Sequence, residues 1–115
     1  MNKFKIFGIV LLTSFLGQAQ DINQAKKAID AEKYEEAKTI LKSIIQAKPT
    51  NGMASFILGN VYLTQSVQDS AKIYFEKGLT ASEGARFNHI GLGQMDLDKN
   101  DVPSAVAKFA LATKD

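Results

Sequence analysis

The chain has 115 residues, of which 45% are hydrophobic and 23% are charged. This length suits one small domain or a short solenoid, and the hydrophobic content excludes a disordered polyampholyte. The formal net charge is +2, and the absence of cysteine excludes both disulfides and a lipid-modified cysteine. A packed fold that depends on apolar burial is expected.

The first twenty residues have the pattern of a secretory signal peptide. Lys3 and Lys5 precede an apolar run over 6–16, and the small residues Gly17 and Ala19 follow it. A membrane anchor is the alternative, but this run would form a helix only about 17 Å long, against a hydrocarbon core of about 30 Å. We expect cleavage near Ala19 and a periplasmic or secreted product that does not insert into the membrane.

The basic excess of the chain lies within this first segment. Removing Lys3 and Lys5 from the 14 basic residues leaves 12, against 12 acidic residues that all lie at or beyond Asp21. The remaining sequence shows no basic stripe. Nucleic acid is therefore not an expected partner.

A period of 34 residues runs through the rest of the chain. Ala37, Ala71 and Ala105 are spaced by this period, and a large apolar residue follows each of them four positions later. A small residue precedes each of them by twelve positions. The large residues are Leu41, Phe75 and Phe109, and the small residues are Ala25, Gly59 and Gly93.

The middle copy resembles the tetratricopeptide repeat (TPR), whose pattern of Leu-Gly, Tyr, Ala and Phe it meets at Leu58, Gly59, Tyr62, Ala71 and Phe75. The flanking copies depart from this pattern, and the usual tryptophan is replaced in all three. The resemblance implies an all-α fold, a right-handed superhelical solenoid of three helix-turn-helix repeats. Together with the signal peptide expected at 1–19, this gives repeats at 20–51, 52–85 and 86–115, the last of which is a candidate for truncation.

Apolar residues recur at three-to-four spacing between polar breaks, which predicts six amphipathic helices. Asp101 with Pro103 is typical of a helix start, and Asp69 is expected to cap another. Gly59 should lie at a close helix crossing, where Gly59→Leu would destabilise the protein by about 1–3 kcal/mol. The expected helices span 22–31, 34–47, 53–65, 69–80, 86–97 and 102–113.

The family resemblance also implies a binding surface, because the first helix of each TPR lines a concave groove that takes peptides or partner helices. Apolar members of this set have an alternative role in packing between helices. Phe56 and Thr64 stand where carboxylate-clamping family members carry lysine, so an apolar or amphipathic target is favoured. The nominated groove residues are Lys26, Met53, Phe56, Asn60, Leu63, Phe87, Ile90 and Gln94.

The sequence does not contain the residue combinations that catalysis, metal binding or cofactor binding requires. His89 is the one histidine, and it lies at a packing position of the repeat. The segment 96–101 imitates the start of a calcium loop, but Asp101 stands where that loop needs glycine and Ala107 where it needs glutamate. We expect no enzyme activity, no cofactor and no metal.

The leading hypothesis is an exported, non-catalytic scaffold that binds a protein or peptide through the groove. The alternative is a structural or self-associating spacer, the amino-terminal part of a longer TPR protein whose activity lies downstream. Phe109 and Ala112 are expected beside an uncovered face of the last repeat, which would allow homo-oligomers.

Overall fold

The computed structural model describes residues 21–114, and the expected signal peptide lies outside them. Each helix end falls within one residue of its predicted position. Within the described range, the only extended pairing is an isolated bridge between Asn51 and Glu83. The six helices are α1 (Ile22–Asp30), α2 (Tyr34–Ala47), α3 (Gly52–Thr64), α4 (Gln68–Leu79), α5 (Ala85–Asp98) and α6 (Val102–Ala112).

Side chains cap three of the helix starts. Asp21 accepts a hydrogen bond from the backbone N–H of Asn23, and Asn51 caps α3 in a similar way. Asp101 accepts from the N–H of Ser104 at 3.2 Å, which confirms the predicted start of α6. The predicted cap at Asp69 is wrong, because α4 begins one residue earlier and Asp69 lies in its first turn, where a carboxylate favours the positive helix end.

In each of the three repeats, a turn with the same backbone conformation joins the first helix to the second. Glu32, Ser66 and Asn100 are 34 residues apart and have φ values of 58°, 62° and 62°, in the left-handed region. In the first copy the N–H of Lys33 donates to the carbonyl oxygen of Ala28 at 2.8 Å, and the other two copies repeat this bond. This pattern ends each first helix and reverses the chain.

Packing follows the order of the chain. The helices pair as α1 with α2, α3 with α4 and α5 with α6, and successive pairs then stack through α2 on α3, α4 on α5 and α3 on α5. The small and large residues of the 34-residue period meet at these crossings. A Cβ added at Gly93 would lie 2.5 Å from Cε1 of Phe109, and one at Gly59 would meet Phe75 equally closely.

Hydrogen bonds link the start of α3 to the loop before α5 and to α5 itself. The N–H of Gly52 donates to the carbonyl oxygen of Glu83 at 2.7 Å, and the N–H of Glu83 donates to that of Thr50 at 3.2 Å. Asn88, which is fully buried, donates from Nδ2 to the carbonyl oxygen of Gly52 at 3.1 Å. These bonds fix the start of α3 against the loop before α5, which sets the angle between neighbouring repeats.

The apolar core is continuous between the first two repeats and thins toward the third. A large cluster joins α1, α2 and α3, whereas a smaller one around Ala71, Phe75 and Met95 joins α3, α4 and α5. The outer side of α6 carries exposed Val102, Val106 and Leu111. Ala105 is the one fully buried residue of α6, and Phe109 on the packed side stays half-buried.

Candidate functional site

The nominated groove residues lie on α1, α3 and α5, the first helices of the three repeats. Contact between α3 and α5 brings the residues of the second and third repeats onto one surface. Lys26 lies apart from them, on the exposed side of α1. Half-buried members are Met53, Phe56, Asn60, Leu63 and Phe87, and exposed members are Lys26, Ile90 and Gln94.

Phe56 forms the aromatic centre of this surface. Its ring centroid lies 5.8 Å from that of Phe87 on α5 and 6.2 Å from that of buried Phe75 on α4. Phe87 is also covered from outside by the guanidinium group of Arg86, at 5.2 Å from its ring centroid. The aromatic members therefore hold the second and third repeats together, and only part of each ring faces solvent.

The polar groove residues differ in whether other side chains already hydrogen-bond to them. Gln94 donates from Nε2 to Oδ1 of Asp98 at 3.4 Å. The side-chain amide of half-buried Asn60 makes no hydrogen bond within residues 21–114, although the Asn60 carbonyl oxygen accepts one from Thr64. Asn60 thus presents a donor and an acceptor at the edge of the aromatic centre, where an extended peptide backbone has matching groups.

A second set of polar and aromatic side chains lies on α2, α3 and α4. Lys38 donates to Oε1 of Gln65 at 2.9 Å and pairs with Glu35 at 2.6 Å. Its ammonium group lies 4.9 Å from the ring centroid of Tyr62. The hydrogen bond from Lys38 lowers the pKa of Glu35 below its ordinary value. These contacts tie the first repeat to the second.

In the third repeat, an ion pair takes the place of two tyrosines that stack on each other in the second repeat. Tyr62 stacks on Tyr74 with ring centroids 5.7 Å apart, and 34 residues later Asp96 pairs with Lys108. Ser104 Oγ donates to Asp96 at 2.7 Å. Sequence analysis considered Asp96 as part of the segment 96–101 that imitates a calcium loop and did not identify its partner, although the 34-residue period pointed to it.

This trio holds α5 on α6 and does not form a serine nucleophile with a lysine base. The Lys108 hydrogen bond, with a smaller contribution from Ser104, lowers the pKa of Asp96 below its ordinary value. Asp96 is therefore ionised near neutral pH. The Ser104 hydroxyl donates to Asp96, and Lys108 Nζ donates to Ser104 Oγ at 3.1 Å, so the lysine is not the proton acceptor that a serine nucleophile needs.

Two further properties concern only the part of the chain between residues 21 and 114. No cluster of three or more His, Asp or Glu side chains that would suit a metal ion occurs there. None of its helices has both the length and the apolar character that crossing a bilayer requires. His89 is half-buried on α5.

Comparison with known proteins identifies the fold. No protein-family model matches the chain, and no curated protein sequence matches it. The crystal structure of MamA matches with a TM-score of 0.65 and 22% sequence identity, over 76% of this chain and 52% of the MamA chain. The chain thus spans about half the length of that MamA chain. This likeness, with the six helices, confirms the predicted solenoid of TPR-like helix-turn-helix repeats.

Proposed function

We propose that the protein is a non-catalytic scaffold that binds an extended or helical segment of a protein partner across α3 and α5. The observation that carries the proposal is the Asn60 side-chain amide, which makes no hydrogen bond within residues 21–114 and lies beside the aromatic centre. Exposed Ile90 and half-buried Met53 and Leu63 add apolar contact area on the same surface. A TPR-like solenoid commonly serves protein interactions, which supports this function.

The test requires substitutions that alter the surface without unfolding the chain. Phe56 is unsuitable, because it packs on Phe75 and Phe87. Ile90 is 40% exposed on α5, and Ile73 is 62% exposed on α4, outside the groove, so Ile90→Glu and Ile73→Glu form a matched pair. Neither side chain contributes much to the core.

The experiment is selection of a phage-displayed peptide library on the purified protein, followed by affinity measurement. We expect the selected peptides to lose about tenfold in affinity with Ile90→Glu and about fivefold with Asn60→Ala, and to keep their affinity with Ile73→Glu. Peptides that bind all three variants as tightly as the original chain would show that α3 and α5 do not form the binding surface.

A second candidate is self-association through α6. Val102 and Val106 are 54% and 59% exposed and lie one turn apart, and Leu111, farther along α6, is 44% exposed. An apolar stripe of this kind suits contact with a second copy or with a further repeat of a longer chain. Light scattering would show a lower mass for Val106→Glu than for Ile73→Glu if two copies meet through this face, and equal masses otherwise.

We also propose export to a periplasm or the extracellular space, on the pattern of residues 1–19. The experiment is expression of the complete chain with its natural leader, followed by cell fractionation and intact mass measurement of the product. Export predicts a soluble extracytoplasmic form that begins near residue 20. A cytoplasmic form that retains Lys3 and Lys5 would contradict it.

A further inference from the structure

A second concave surface lies on the second helices of the first two repeats, away from the groove. It occupies about 250 Å³ between α2 and α4. This volume suits one side chain of a partner and is small for a drug-sized ligand. We call it the interrepeat pocket, and its lining residues are Lys42, Ile45, Gln46, Tyr74 and Lys77.

The pocket carries positive charge without a balancing carboxylate. Within residues 21–114, neither Lys42 nor Lys77 has a carboxylate oxygen within 4.0 Å. Glu35 acts on Lys42 only through space, because its carboxylate is paired with Lys38 at 2.6 Å. Gln46 adds an amide that can donate a hydrogen bond. Two lysines and one glutamine therefore line one hollow that has no acidic side chain among its lining residues.

The aromatic residues behind the pocket position Lys42. Its ammonium group lies 5.7 Å from the ring centroid of Tyr62, and Tyr62 stacks on Tyr74, which lines the pocket. The interaction with the Tyr62 hydroxyl raises the pKa of Lys42 above its ordinary value. Lys42 thus stays protonated at every physiological pH and is held in place before a ligand arrives, which lowers the entropy lost on binding.

Interaction with a helix dipole explains the presence of only one of the two lysines. Lys77 lies in the last turn of α4, where a cation interacts favourably with the helix dipole. Lys42 lies in the interior of α2, five residues before the helix ends at Ala47, and gains little from that dipole. Its position over Tyr62, toward the same hollow as Lys77, is the feature that indicates a ligand.

We propose that the interrepeat pocket binds the carboxylate of a glutamate side chain from an acidic segment of a protein partner. Lys42 and Lys77 would pair with the carboxylate, Gln46 would donate to it, and Ile45 and Tyr74 would contact the methylene groups of the side chain. A carboxylate on an apolar stem matches this lining better than inorganic phosphate, which has no apolar part. The site is independent of the groove on α3 and α5.

The experiment is titration of the ¹⁵N-labelled protein with acetylated, amidated tetraglutamate at low ionic strength. The Gln46 side-chain amide and the Lys77 backbone amide report binding, with tetraglutamine as the neutral control. We expect saturable shifts with tetraglutamate that weaken about fivefold with Lys77→Gln and with Lys42→Gln. Lys72→Gln is the matched control, because exposed Lys72 lies on α4 outside the pocket and its loss changes the net charge equally.

Three results would overturn the proposal. The first is the absence of saturable shifts at the pocket amides, and the second is equal weakening by Lys72→Gln and Lys77→Gln, which would indicate only diffuse attraction to the surface. The third is a response of the same amides to inorganic phosphate but not to tetraglutamate, which would reassign the pocket to phosphate. Ile90→Glu should leave the titration unchanged, so the groove and the pocket are tested separately.

Discussion

The ring of Phe75 fills the space between two first helices, and its position makes Gly59→Ala a sharp test of the packing. Phe75 is fully buried. A Cβ added at Gly59 on α3 would lie 2.6 Å from Cδ1 of this ring, and one at Gly91 on α5 would lie 2.5 Å from the same atom. Ordinary carbon contacts are about 3.5–4.0 Å. The ring cannot retreat from α3 without meeting α5.

Two opposing effects set the size of the change. Alanine favours a helix interior by about 1 kcal/mol over glycine. Overpacking a core that cannot yield costs about 1–3 kcal/mol. Because the new methyl group needs a shift of about 1 Å and the ring is held on both sides, we expect the upper end of that range. The net result for Gly59→Ala is a loss of about 2 kcal/mol, or about 10 °C in the unfolding midpoint for a domain of this size.

A compensating substitution makes the test specific. The first repeat carries Ala25 and Leu41 at the positions of Gly59 and Phe75, and both are fully buried. Phe75→Leu alone should cost about 1–1.5 kcal/mol through lost packing. In the double variant, alanine occupies the space that the ring vacates, so we expect a favourable coupling of about 1–2 kcal/mol.

Urea unfolding followed by circular dichroism measures all four members of this cycle. Two-state behaviour is checked by comparing the transition at two wavelengths. A Gly59→Ala variant at least as stable as the original chain would refute the packing argument. Strict additivity of the two substitutions would show that residues 59 and 75 do not share a contact.

Three further substitutions test other parts of the fold. Asp96→Asn should lower stability at pH 7 in thermal unfolding, and the difference from the original chain should shrink as the pH falls below 3.8, because a carboxylate with a lowered pKa stabilises above its unfolded-state pKa and loses this effect as pH falls through its folded-state value. Asn88→Ala should cost about 1–3 kcal/mol in urea unfolding by leaving the Gly52 carbonyl without its side-chain donor, whereas Asn60→Ala should change stability little. Glu32→Gly should stabilise by about 0.5–1 kcal/mol, because φ of 58° disfavours any residue with a Cβ, and an unchanged midpoint would contradict this.

Local sequence signals predicted the helices and the turns that separate them. Helix bounds depend on apolar periodicity and on start signals such as Asp101 with Pro103, which act within a few residues. The 34-residue period also predicted which small residue meets which large one, as Gly59 with Phe75 and Gly93 with Phe109. The expected groove residues fall on first helices because repeat position is itself encoded in that period.

The candidate binding surface was harder to predict from such local signals. Phe56 was nominated as a ligand contact, but its packing on Phe87 depends on the angle between neighbouring repeats. That angle depends on hydrogen bonds between residues distant in sequence, such as that of Asn88 with Gly52, which are 36 positions apart. Asn88 carries no sequence signal, since asparagine in a helix is usually exposed.

The sequence by itself determined the repeat, the six helices and the pairing of small with large residues, because each depends on spacing along one chain segment. Tertiary structure alone decided which side chains remain available to a partner. Within residues 21–114 the Asn60 side-chain amide makes no hydrogen bond while that of Gln94 does, and Lys42 and Lys77 line one pocket between two helices that are separate in sequence. Whether a side chain is available to a partner depends on its neighbours in space, and those neighbours come together only when the helices stack.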